Sequence, residues 1–118
     1  MGRSKSPRTL RGLFLSMPYC VYILYSERFD KYYIGQTNSL EHRLVRHNEF
    51  ESVNSYTAKH RPWILKAWVD VGDSRSNAMK VEKKLKALKS KRIVADFAEN
   101  PEKLAVFAAN VLSPPSSH

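Results

Sequence analysis

Two runs of aromatic and β-branched residues near the start of the chain constrain the fold most. Tyr19-Cys20-Val21-Tyr22-Ile23-Leu24-Tyr25 is strand chemistry throughout, and Tyr32-Tyr33-Ile34 repeats it after a polar interval. Ser26 to Lys31 has the length of a hairpin loop, so the two runs are expected to pair antiparallel. The second run is expected to stop at Gly35, where a residue without a Cβ lets the chain turn sharply. Asn38 then reads as a helix cap, answered by Glu41 in the manner of a capping box. Helix one runs from about Ser39 to Asn48, with Leu40 and Leu44 on its buried stripe. Arg43 and His47, one turn apart, are expected to look out together from one face.

Further on, Glu49 to Arg61 reads as a polar loop, and Pro62 forbids a helix through the start of the next run. Trp63 to Val71 is bulky and apolar enough for a central third strand. Gly72-Asp73-Ser74 breaks it, and Asp73 or Ser74 caps helix two, whose core stripe is Ala78, Val81, Leu85 and Leu88. Lys80, Lys83, Lys84, Lys86 and Lys89 cover the rest of that helix. Ser90 caps a short helix carrying Ile93, Val94 and Phe97; Asn100-Pro101 opens a last one carrying Leu104, Phe107, Ala108 and Val111. The expected fold is α+β, a small three-stranded and mainly antiparallel sheet flanked by helices. It forms one domain over residues 17–112, between a basic, disordered leader at 1–16 and a frayed end at 113–118. Arg3, Lys5, Arg8 and Arg11 without any acid also suit an organelle transit peptide, and Met17 suits an alternative start.

A chain of 118 residues has room for one core, and 42% hydrophobic with 26% charged residues is a globular composition. No apolar run approaches the roughly 18 residues of a membrane helix, so no membrane partner is expected. The formal charge of +9 points toward polyanions, nucleic acid first and anionic membrane surfaces second. The single cysteine, Cys20, excludes an internal disulfide, reads as a buried and unreactive thiol, and suits a reducing compartment; the expected location is cytoplasmic and nucleoid-associated. No Cys and His spacing here is that of a zinc site.

The first two strands resemble the GIY-YIG nuclease superfamily. Cys20-Val21-Tyr22 stands where that family has its first triplet, and Tyr33-Ile34-Gly35 is its second triplet unaltered. Arg43, His47 and Glu82 follow in the order and on the expected elements where the family has an arginine, a histidine and a metal-binding glutamate. Met17-Pro18-Tyr19, Ser55-Tyr56-Thr57 and Arg61-Pro62-Trp63 look like the small stand-alone branch related to the nuclease half of the UvrC excision-repair protein. Cys20 replaces the first glycine, and Gln36 stands where some members carry a lysine. The likeness spans roughly residues 17–95.

What the resemblance implies is a metal-dependent endonuclease that hydrolyses DNA phosphodiester bonds, directed by structure or damage in repair or recombination. Glu82 would hold Mg²⁺ or Mn²⁺, a hard cation that accepts few protein carboxylates and keeps several waters. Arg43 would grip a non-bridging oxygen, while Tyr22 and Tyr33 would position the attacking water. Tyr33 and His47 both stand as candidates for the base. Lys80, Lys83 and Lys84, with Lys59 and Arg61, would track the phosphate backbone, and Tyr56 would line the groove. Against these stand plainer roles: strand aromatics, a solvated helix face, and for Glu82 a surface ion pair. The alternative function is a catalytically weak or inactive basic nucleic-acid-binding module of the same fold. RNA remains a possible substrate, and a protein partner could supply specificity.

Overall fold

The structure, a computed structural model, describes residues 18–50 and 55–113. The expectations for the leader at 1–16, for Met17 and for residues 114–118 lie outside the described residues. Three strands, β1 (Cys20–Ser26), β2 (Lys31–Thr37) and β3 (Ile64–Asp70), form one antiparallel sheet in the order β2-β1-β3. The helices are α1 (Leu40–Val45), continued by a π-helical turn at Arg46–Phe50, then α2 (Tyr56–Lys59), α3 (Arg75–Ala87), α4 (Lys91–Glu99) and α5 (Pro101–Leu112). The α+β class expected from the sequence is what forms.

The central strand is β1, not β3. Its side chains are buried on both faces, as an unbroken apolar run should be. Val21 and Ile23 join Ala67, Ala78, Val81, Leu85, Val94 and Leu104 beneath α3, α4 and α5. Cys20, Tyr22 and Leu24 point the other way, toward Trp63, Leu40 and Leu44. Strand β3 is an edge strand, with Ile64 and Trp68 exposed. Its pairing with β1 slips by one residue after Ala67, since Ile23 opposes Ala67 and Leu24 opposes Leu65. Lys66 is the extra residue of this bulge and reaches Glu99 at 3.1 Å.

Local expectations hold where side chains can reach the backbone. Ser74 and Ser90 each accept a hydrogen bond from a backbone N–H three residues on, and Pro101 opens α5. Asn38 does not cap α1: the N-cap is Ser39, whose N–H donates to Thr37 Oγ1 and whose side chain makes no capping bond. Of the stretch expected to be a polar loop, residues 51–54 lie outside the described residues; the rest holds the end of the π-helical turn and, from Tyr56, the one-turn helix α2, capped by Ser55. Leu88 leaves the core stripe because α3 ends at Ala87.

Candidate active site

Register places the two triplets side by side. Tyr22 opposes Gly35 and Leu24 opposes Tyr33, so both tyrosines share the face covered by α1. Gly35 lies within β2 and does not end it; the strand runs on to Thr37. Its missing Cβ serves another end. A methyl built there would overlap the Tyr22 hydroxyl and stand 2.6 Å from Cζ. The hydroxyl end of the Tyr22 ring therefore lies against bare backbone, which only glycine permits.

Above these rings, Leu40 and Leu44 of α1 and His47 of the π-helical turn face inward, a stripe spaced by four and three residues. His47 is 2% exposed, and its Nε2 lies 2.9 Å from the Tyr22 hydroxyl. The Tyr33 ring stands edge-on to the imidazole with centroids 4.8 Å apart, and 6.4 Å from Tyr22. The expectation that Arg43 and His47 look out together therefore fails for His47. Beyond Val45 the helix widens into the π-helical turn, which changes the angle between successive side chains. Arg61 Nε donates to the His47 carbonyl at 2.9 Å. Asn48 donates to the Trp63 carbonyl and accepts from its N–H at 3.2 and 2.7 Å, tying the turn to the approach to β3. Arg43, half-buried, lines a groove of about 540 Å³ with Thr37, Asn38, His42 and Arg46.

Burial pushes the Tyr22 phenol well above the ordinary range, and its neighbour Tyr33 adds to the rise. Arg43 pulls it down and Glu82 pushes it up, so both charges act on this one hydroxyl. The net effect keeps Tyr22 protonated at neutral pH. Where Nε2 carries no hydrogen the phenol donates to it, and where it does the phenol oxygen accepts. Glu82 comes from α3, whose Val81 and Leu85 pack on the other face of the sheet, and it pairs with Lys86 at 2.9 Å. Burial likewise holds the Cys20 thiol up at about 11, in keeping with an unreactive core residue.

The family model for the GIY-YIG catalytic domain matches residues 18–94. The chain belongs to the GIY-YIG family. No curated protein and no solved structure matches at a significant level. The family's domain is that of a nuclease, which entails nucleic-acid binding, and DNA is the substrate it implies.

Within this GIY-YIG domain, Tyr22, Tyr33 and His47 are in mutual contact, while Arg43 and Glu82 act by charge on the Tyr22 phenol. Tyr56 stacks beside Tyr33 with centroids 6.4 Å apart. Lys80 and Lys83 line one groove with Glu82 and Lys86, whereas Lys84 and Lys59 are exposed and do not line that groove. Arg61 supports the π-helical turn through its Nε. Among the described residues no three His, Cys, Asp or Glu side chains gather as a ligand cluster. A half-buried single carboxylate fits a water-rich Mg²⁺ or Mn²⁺ ion and does not fit zinc. No role was expected of Asn48, which ties the π-helical turn to Trp63, or of Phe29 and His60, whose rings meet at 5.1 Å. Asn48 carried a usable signal, because an asparagine inside a helix expectation asks for a backbone partner elsewhere.

Proposed function

We propose that this GIY-YIG domain is a divalent-metal-dependent endonuclease that cuts DNA at unusual structure or damage. The observation that carries the reading is the buried Tyr22–His47 hydrogen bond beneath Tyr33, with one guanidinium and one carboxylate acting on the same phenol. In hydrolysis a water oxygen attacks phosphorus, the bond to the 3′-oxygen breaks, and charge grows on the non-bridging oxygens. Arg43 meets that charge with paired N–H donors. Tyr33, half-buried beside the imidazole, is the phenol open to substrate and orients the water. Tyr22 and His47 hold Tyr33 in place as positioning residues. A cation on Glu82 would supply Lewis acidity toward the phosphate. Lys80 and Lys83, on the same groove as Glu82, take up flanking phosphates without reading bases. A cytoplasmic, nucleoid-associated location and a role in repair or recombination belong to this proposal.

One observation favours the alternative, a binding module with negligible turnover: Lys86 already neutralises Glu82. Labelled junctions, flaps and duplexes incubated with and without Mg²⁺ or Mn²⁺ separate the two. Metal-dependent nicking that disappears in Glu82→Ala supports the nuclease; binding without cutting of any substrate supports the module. RNA digested in parallel decides the polymer.

A further inference from the structure

Rings continue outward from the Tyr22–His47 pair in an unbroken series. Tyr33 stacks on Tyr56 at an interplanar angle of 28°. Tyr56 lies 4.4 Å from His60, and His60 stands edge-on to Phe29 at 5.1 Å. Exposure is 1% at Tyr22, 45% at Tyr56 and 41% at Phe29, with half-buried His60 between the last two. Three separate segments supply these rings: β2, α2 with the residue that follows it, and the tip of the β1–β2 hairpin. A one-turn helix does not persist by propensity alone. Here it is held by the Ser55 cap, by His60 Nδ1–H donating to the Tyr56 carbonyl at 2.7 Å, and by Trp63 Nε1–H donating to the Thr57 carbonyl at 2.8 Å.

Packing does not seal the outermost rings, Tyr56 and Phe29. These are left near half exposed beside the candidate site. Cations interleave with them: the Arg28 guanidinium sits 5.6 Å from the Phe29 ring, and exposed Lys59 lies between Tyr56 and His60 in the chain. Open aromatic faces alternating with cations are the chemistry that holds unpaired bases, because every base has a π-face and every nucleotide a phosphate. A base inside a duplex has its faces covered by its neighbours.

We propose that Tyr56, His60 and Phe29 form a nucleobase-stacking subsite that takes an unpaired nucleotide of the strand being cut. Its placement beside the scissile phosphate rests on the nuclease reading; the stacking itself needs no turnover. The test measures binding in the presence of a chelator, by fluorescence anisotropy, using labelled oligothymidine and an abasic phosphodiester oligomer of the same length. The full chain should prefer oligothymidine about tenfold, the effect of one well-stacked base. Tyr56→Ala and Phe29→Ala should each collapse that ratio, and Tyr56→Phe should retain it, with circular dichroism melts confirming that each variant folds. Equal affinity of the unsubstituted chain for both oligomers, or a ratio that survives both alanine substitutions, overturns the subsite. Cleavage in Mg²⁺ or Mn²⁺ is read separately. A base preference with no cleavage leaves the subsite standing and strikes only the nuclease reading; cleavage without base preference does the reverse.

Discussion

The Tyr22 hydroxyl occupies the space that a Cβ on Gly35 would fill: such a Cβ would collide with the end of the phenol ring. This couples the two family triplets physically. The glycine of one strand exists to seat the tyrosine of its neighbour, and that tyrosine in turn meets His47.

Gly35→Ala should therefore destabilise the domain by about 1–3 kcal/mol through overpacking. Tyr22→Phe should not rescue it, because Cζ itself stands 2.6 Å from the added methyl. Tyr22→Leu, which removes the ring end, should restore part of the loss. Urea unfolding of the single and double variants measures this, and additivity of Gly35→Ala with Tyr22→Leu would count against the shared volume.

Tyr22→Phe alone withdraws the hydroxyl from a 2%-exposed imidazole, a loss of about 1–3 kcal/mol for a buried polar group. A double-mutant cycle with His47→Leu should give a coupling of about 0.5–3 kcal/mol. A coupling near zero would mean that the hydrogen bond contributes nothing measurable to stability.

Glu82→Gln removes the half-buried partner of an i,i+4 ion pair whose lysine is exposed, so stability should move by no more than about 1 kcal/mol. Metal-dependent cleavage should vanish with it. Lys86→Met, which takes away the competing cation, should tighten Mn²⁺ binding measured by calorimetry. Weaker Mn²⁺ binding in that variant would remove Glu82 as the metal's ligand.

Asp30 links the hairpin tip to α4: it accepts from Lys91 Nζ at 2.6 Å and from the Tyr25 hydroxyl at 2.8 Å. Lys91 first and Tyr25 second lower its carboxyl below 3.8, the ordinary value. A depressed folded value means that this contribution is complete above the unfolded pKa. It fades as pH falls below about 3.8 and through the folded value. Tyr25 behaves oppositely, since its bond to Asp30 raises it to about 12. Its contribution persists up to about 10 and is lost as pH rises through about 12. Asp30→Asn should flatten both limbs of the stability–pH curve; an unchanged acid limb would show that the link is negligible.

The local chemistry of this protein was written in single residues. Aromatic and β-branched runs made the hairpin, Ser74 and Ser90 capped their helices, and the period of Ala78, Val81 and Leu85 set the face of α3. Those choices depend on neighbours a turn or a strand away, so the one-dimensional pattern contains them. Sheet order did not follow from it, because a bulky edge strand and a central one read alike until the helices cover one of them. Nor did the roles of Gly35 and His47. The first depends on a cross-strand register, and the second on a helix that changes its winding where Asn48 and Arg61 bond to other parts of the fold. The rings of Phe29, Tyr56 and His60 come together only when a hairpin tip meets a one-turn helix, a contact between segments far apart in the chain. Residue types and short spacings were legible in advance; which faces meet was decided by tertiary packing.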